Sequence, residues 1–198
     1  MPRGFNELIG KGEVWVSVPV IVMPEDGTFL PRMEDLRRAV NSRTRAVILN
    51  SPNNPSGMLF PEPFVAELVE FCERKGLYLI ADDIYHKLVF DGLRAPPAYD
   101  FTQKDVESST IIVINGISKT YGMTGFRIGW AIGPRAVVKV MTNVLAQTTS
   151  CASAISQAAA EGALTGPQSY VESLRVTIQN NRDVVLQELA GLASVVTA

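Results

Sequence analysis

Three short stretches of this 198-residue chain hold side chains able to do covalent or acid–base chemistry. SPNNPSG carries Asn53 and Asn54. ADDIY carries Asp82, Asp83 and Tyr85. NGISKTYGMTGFRIGW carries Lys119 and, eight residues on, Arg127. A desolvated lysine is a nucleophile that forms Schiff bases with carbonyl compounds. A carboxylate beside a basic ring nitrogen favours its charged form. The planar fork of an arginine suits a phosphate. Each residue also has a plain structural reading. Lys119 alone is a solvated amine, and Arg127 an ion-pair partner at a strand start. Asp82 alone is a helix N-cap, Tyr85 a packing residue, and Asn54 before Pro55 a turn residue.

The elements that must position these side chains are legible from hydrophobic patterning. Residues 45–50 (RAVILN) form a short apolar run and read as a strand, followed by dense loop chemistry at 51–57. Residues 61–75 show helical spacing at Phe64, Leu68 and Phe71, with Gly76 placed as the stop. Strands follow at 77–81, 109–114 and 127–132, with a short helix expected over 84–89. Helices are expected over 135–147, 152–164 and 167–189. The early run 14–23 (VWVSVPVIVM) reads as one or two short strands interrupted by Pro19. Continuous apolar strands separated by helices predict an α/β fold, a mainly parallel sheet covered on both faces. In such sheets ligands bind outside the carboxyl ends of the strands. The first strand runs into Asn53 and Asn54, the second into Asp82 and Asp83, the third into Asn115 and Lys119. An amide, a carboxylate and an amine therefore converge on one rim.

Composition narrows the function classes. The chain is 46% hydrophobic with a net charge of -2, enough for one substantial core. Basic and acidic residues are intermixed, and no block of like charge suggests a nucleic-acid surface or a membrane patch. The run 14–23 is about half the length that a spanning helix needs and has the wrong flanks for a signal peptide. Cys72 and Cys151 lie far apart without metal-ligand spacing, which fits a reducing, cytoplasmic setting. The sole histidine, His86, reads as structural and Trp130 as core. The apolar end at 190–198 reads as a truncation or the start of another domain.

Together, a Schiff-base lysine, an acid for a pyridinium nitrogen and an arginine for a phosphate are the parts that pyridoxal 5'-phosphate requires. SPNNPSG, ADDIYHKLVFDG and NGISKTYGMTGFRIGWAIGP resemble, in order and spacing, the three core motifs of the class I/II aminotransferases of fold type I, in their aspartate-aminotransferase-like form. The resemblance covers nearly the whole chain. It implies a three-layer αβα large domain with a mainly parallel sheet and one antiparallel strand. Residues 1–190 would be its central part, and 191–198 the lead into a small domain.

By the same resemblance, Lys119 would carry the cofactor as a Schiff base and shuttle the substrate proton. Asp82 would pair with the pyridine nitrogen. Tyr85 and Asn54 would hydrogen-bond the ring oxygen, and Arg127 would grip the phosphate. Family register favours Asp82 over Asp83. Many members place a serine three residues before the lysine, on the phosphate. Here that position is Gly116, and Ser118 is a candidate substitute. The substrates implied are an amino acid and a 2-oxo acid, and a homodimer is implied for the longer parent protein. Carbon–sulfur lyases and aminocyclopropane-carboxylate synthases share these motifs, as do aminotransferase-like domains of transcription regulators.

Overall fold

Runs rich in β-branched and aliphatic residues build a four-stranded sheet: β1 (Ala46–Asn50), β2 (Tyr78–Asp82), β3 (Ile111–Gly116) and β4 (Gly129–Ile132). The computed structural model describes residues 29–190, so the strands expected within 14–23 and the lead expected at 191–198 lie outside the described residues. The strand order is β1-β2-β3-β4. The first three strands are parallel and β4 runs antiparallel to β3. This is the expected α/β class, with one antiparallel strand in a mainly parallel sheet.

Five helices accompany the sheet among the described residues. They are α1 (Met33–Ala39), α2 (Glu62–Lys75), α3 (Arg135–Thr148), α4 (Ala154–Thr165) and α5 (Ser169–Leu189). None is long and apolar enough to cross a membrane. Helix α2 shows why the local sequence folds as it does. Pro61 holds the extended N-cap conformation and Glu62 opens the first turn. Arg74 and Lys75 close the last turn, and Gly76 takes the left-handed C-terminal conformation at φ 63°. The Leu77 N–H then bonds back to the Cys72 carbonyl at 2.9 Å. Val65, Leu68, Val69, Phe71 and Cys72 form one buried stripe on this helix. They pack on the sheet face made by Leu49, Leu79, Ala81 and Ile111. Burial pushes the Cys72 thiol up to about 12, so this cysteine is an inert core residue.

Two elements differ from the sequence expectation. Helix α1 is too short to show a clear period. Its buried side is only Met33 and Leu36, with Glu34 and Asp35 in its first turn. Residues 84–89 form no helix; 84–87 are turns and 88–89 irregular chain. The Asp83 N–H is drawn into the sheet by the Ile114 carbonyl at 2.9 Å, which extends the strand ladder. Asp91 and Gly92 then take left-handed conformations. Between these points the His86 N–H bonds to the Asp83 carbonyl and the Leu88 N–H to the Tyr85 carbonyl, three-residue turns in place of the four-residue bonds of an α-helix.

The approach of β4 to β3 sets a tight constraint on one pair of glycines. Gly116 and Gly129 face each other in register. A Cβ on Gly116 would lie 2.8 Å from the Ile128 carbonyl oxygen and 3.2 Å from the Gly129 Cα. Gly116 has no left-handed φ, so close approach, and not turn geometry, calls for glycine here. Gly116→Ala is expected to lower stability by about 1–3 kcal/mol through overpacking against backbone. Urea denaturation checks this, and an unchanged midpoint would show that the β3–β4 pair can spread.

Candidate active site

Parallel register brings three strand ends to one level. Asn50 pairs with Asp82, and Asp82 pairs with Ile114. The loops that leave these ends carry the side chains singled out in the sequence. After β1, Ser51, buried in the loop, accepts the Phe60 N–H on its Oγ at 3.0 Å. Asn53 turns inward, where its Oδ1 accepts the Ser56 hydroxyl at 2.8 Å. Asn54 points across the rim, and its Nδ2 donates to the Tyr85 hydroxyl at 3.4 Å. The two adjacent amides thus divide the work, one holding the loop and one facing the rim.

After β2, the Asp82 Oδ1 accepts the Ile84 N–H at 3.3 Å, which fixes the start of the turn that presents Tyr85. No other side-chain hydrogen bond or ion pair engages Asp82 among the described residues. Asp83 is partly buried beside it. Burial, and next the Asp82 charge, push the Asp83 carboxyl up to about 6.

After β3, the chain makes a single helical turn. The Tyr121 N–H bonds to the Ile117 carbonyl at 3.2 Å, and the fully buried Ile117 side chain anchors the turn. Lys119 sits on this turn with its Nζ 5.8 Å from the centre of the Tyr85 ring. The Tyr121 hydroxyl donates to the Gln168 Oε1 at 2.8 Å, tying the turn to the residue before α5. Ser118 is half-buried on the same turn.

Asn54, Tyr85 and Lys119 are therefore brought together, one from each strand end. Asp82 lies at the foot of the same rim. Arg127 is not in contact with this group. It is exposed, and its Nη1 donates to the Thr124 carbonyl at 3.0 Å. Its backbone is left-handed at φ 54°, a strained conformation for a residue with a side chain. Trp130, expected in the core, is half-buried on β4, the edge strand among the described residues, opposite Asn115.

Two amides at the strand ends organise the rim: Asn115, which the strand pattern already places there, and Asn50, which it does not. Asn50 accepts the Asn54 N–H at 3.0 Å and donates to the Asp82 carbonyl at 3.3 Å, so it bridges the first two strand ends. The one hint was a polar amide closing an otherwise apolar run. Asn115 similarly accepts the Gly116 N–H at 2.7 Å and contacts His86 at 3.1 Å.

Comparison with known proteins is consistent with this geometry. The family model described as aminotransferase class I and II matches residues 11–197. A probable aspartate/prephenate aminotransferase of Thermus aquaticus is 35% identical over 94% of this chain and 51% of its own length. An aspartate aminotransferase of Rhizobium meliloti is 43% identical over 80% of this chain and 38% of its own. Among solved structures, a Thermus thermophilus aspartate aminotransferase double mutant superposes with a TM-score of 0.81 at 36% identity, covering 89% of this chain and 45% of the other. An aromatic aminotransferase from Pyrococcus horikoshii gives 0.81 at 29% identity, covering 89% and 47%. The chain spans about half the length of these curated relatives. With its rim built from Asn54, Asp82, Tyr85 and Lys119 and the family model covering 11–197, the chain belongs to the class I and II aminotransferases.

Proposed function

We propose that this chain is the central part of the pyridoxal-phosphate-binding large domain of an aminotransferase, which moves an amino group from an amino acid to a 2-oxo acid. The observation that carries the reading is the meeting of Asn54, Tyr85 and Lys119 at one strand-end rim. The donor set fits the cofactor. An amine is needed for its aldehyde, a carboxylate for its pyridine nitrogen, a phenol and an amide for its ring oxygen, and a guanidinium for its phosphate. Bound there, the cofactor would supply an electron-accepting ring for the substrate α-carbon.

The residues of the chain do the rest. Asp82 would hold positive charge at the pyridine nitrogen, and among the described residues its carboxylate is otherwise engaged only by the Ile84 N–H. Asp83 suits that role less, because a carboxyl that keeps its proton to about pH 6 is a weaker counter-ion. Tyr85 and Asn54, already hydrogen-bonded to each other, donate to the ring oxygen and fix its orientation. Lys119 Nζ would hold the cofactor through its aldehyde carbon and, once the substrate amine had displaced it, the free amine would take the proton from the substrate α-carbon. Arg127 grips the phosphate with its fork. Its strained backbone supports a role for the side chain that glycine could not fill.

Gly116 stands where many members carry a serine, and a side chain there would meet the β4 backbone. A phosphate contact from this position therefore requires β4 to move, and Ser118 on the neighbouring turn is the available hydroxyl. Residues 191–198 would lead into the small domain, the parent protein would be a cytoplasmic homodimer, and no nucleic-acid or membrane partner is part of this reading.

Lys119→Ala is expected to abolish covalent capture. Borohydride reduction of the chain with pyridoxal phosphate, followed by peptide mapping, should place the label on Lys119 and lose it in the variant. A label on another lysine would refute the assignment.

The Asp83 carboxyl gives a pH test. Its folded pKa is raised, so it is protonated in both folded and unfolded chains below about pH 4 and costs nothing there. As pH rises from about 4 to 6 the unfolded chain ionises first, and the folded state loses stability. Asp83→Asn removes this cost. Its urea midpoint should exceed that of the wild type by an amount that grows between pH 4 and 6 and then levels off. A gap independent of pH would mean that the carboxyl does not titrate in this range.

A further inference from the structure

We infer that Gln168 is a positioning residue for Lys119. At the start of α5 it holds the Lys119 turn through the Tyr121 hydroxyl, while the far part of the same helix is tied to the loop that carries Tyr85, so one helix sets the two loops relative to each other. The consequence for Lys119 rests on the cofactor reading above. The brace itself stands on the contacts.

Every hydrogen bond of the Gln168 amide has one possible direction. Its Nε2 donates to the Ala163 carbonyl at 3.0 Å and the Gly166 carbonyl at 2.8 Å, with the Leu164 carbonyl at 3.5 Å beside them. Carbonyls only accept, so the amide nitrogen faces them and the Oε1 faces Tyr121. The Oε1 only accepts, so the Tyr121 hydroxyl donates its proton at 2.8 Å. Ala163 and Leu164 lie in the last turn of α4, whose terminal carbonyls have no partner within the helix. The Gln168 backbone carbonyl meanwhile accepts the Val171 N–H at 3.1 Å and opens α5. One residue thus closes α4, starts α5 and reaches the turn that carries Lys119.

The turn needs this outside support. It is a single helical turn, which orders several dihedrals for one hydrogen bond. Ile117 and Thr120 are buried and hold one side. Tyr121 and Gly122 face α5. A Cβ on Gly122 would lie 3.3 Å from the Tyr170 hydroxyl, so the first turn of α5 abuts the end of the Lys119 turn. Further along α5, Arg182 grips Asp91 with both arms of its fork, at 2.6 and 2.8 Å, and lies 4.9 Å from the centre of the Phe90 ring. The Gln179 Oε1 accepts the Asp91 N–H at 3.0 Å. Asp91 holds a left-handed backbone on the loop that follows Tyr85. Val171 is the one buried residue of α5, so polar ties carry much of the attachment of this helix.

The test uses the whole chain. Tyr121→Phe keeps the ring and removes the donor, Gln168→Met removes the acceptor, and the double variant removes both. Arg182→Met releases the far end of α5. Amide hydrogen exchange is read at Gly122, whose N–H bonds to the Lys119 carbonyl, at Leu88, whose N–H bonds to the Tyr85 carbonyl, and at Leu79 in the sheet as the reference. Borohydride capture of pyridoxal phosphate is timed at Lys119 and at the exposed Lys139 in the same digest. The Gly122 rate relative to Leu79 should rise about fivefold in Tyr121→Phe, the loss of roughly one net hydrogen bond. It should rise at least as much in Gln168→Met, and the double variant should not exceed Gln168→Met. The Leu88 rate relative to Leu79 should rise in Arg182→Met. The preference of capture for Lys119 over Lys139 should fall in all three single variants. An unchanged Gly122 ratio in Tyr121→Phe, or a double variant that multiplies the single effects, would overturn the tie between Gln168 and the turn. A raised Gly122 ratio with unaltered capture preference would overturn the positioning role, and unaltered capture in Arg182→Met would overturn the brace. If the wild-type chain shows no preference for Lys119, the cofactor reading fails, while the exchange ratios still decide whether α5 holds the two loops.

Discussion

The parallel register of β1, β2 and β3 is the constraint on which the rim depends. Asn50, Asp82 and Ile114 stand side by side, so three loops leave the sheet at one level and in one direction. A slip of one residue in any strand would turn its side chains to the other face and carry its loop away from the others. The register is held by packing on the other end of each side-chain alternation. Leu49, Leu79, Ala81 and Ile111 form a flat apolar face, and the buried stripe of α2 lies across it. Leu79, Val65 and Val69 are wholly excluded from solvent. Truncation of one such side chain costs about 2–5 kcal/mol, a large fraction of the stability of a small domain. The chemistry at the rim is thus secured by aliphatic residues that never touch it.

Above that face, precision comes from amides. Asn50 joins the first strand end to the second, Asn54 joins the first loop to Tyr85, and Asn115 joins the third strand end to His86. An amide has a donor and an acceptor on one short, uncharged side chain, so it can bridge two backbones without the desolvation cost of a charge. That leaves Asp82 and Lys119 with few protein partners, which is the condition under which they can serve a ligand. The division between Asn53, folded into its own loop, and Asn54, aimed across the rim, follows the same logic.

The strands of the sheet and helices α2 to α5 were legible because their signals are local, whereas the antiparallel sense of β4 was implied by the family resemblance alone. Apolar runs marked the strands, and the terminating Gly76 marked the end of α2. The three motifs likewise named Asn54, Asp82, Tyr85, Lys119 and Arg127. The misses have a common physical cause. Residues 84–89 look helical in isolation but are captured by the strand ladder at Asp83 and broken at Asp91 and Gly92. Helix α1 depends on two buried residues whose partners lie far along the chain. Asn50, Asn115 and His86 are defined by what they touch across strands, and no spacing in the sequence announces that. Gly116 is required by its distance to the β4 backbone, a contact between strands.

Arg127 shows how strain and chemistry can be weighed at one residue. A left-handed backbone costs a residue with a side chain roughly 1–2 kcal/mol relative to the right-handed form. Glycine would avoid this, and glycines stand nearby at 125 and 129 without a left-handed φ. The conformation has a geometric purpose, since it turns the chain from the short 3-10 segment Thr124–Phe126 into β4. That purpose alone would be met better by glycine, which leaves the guanidinium as what distinguishes arginine here. The side chain is exposed, bonded among the described residues only to the Thr124 carbonyl just behind it, and contributes little to the core. A strained position occupied by a long, solvated cation is poor design for stability alone. It is consistent with a side chain kept for an anion, which matches the phosphate role proposed for Arg127 and sets it apart from the rim residues, whose positions are fixed by packing and amide bonds.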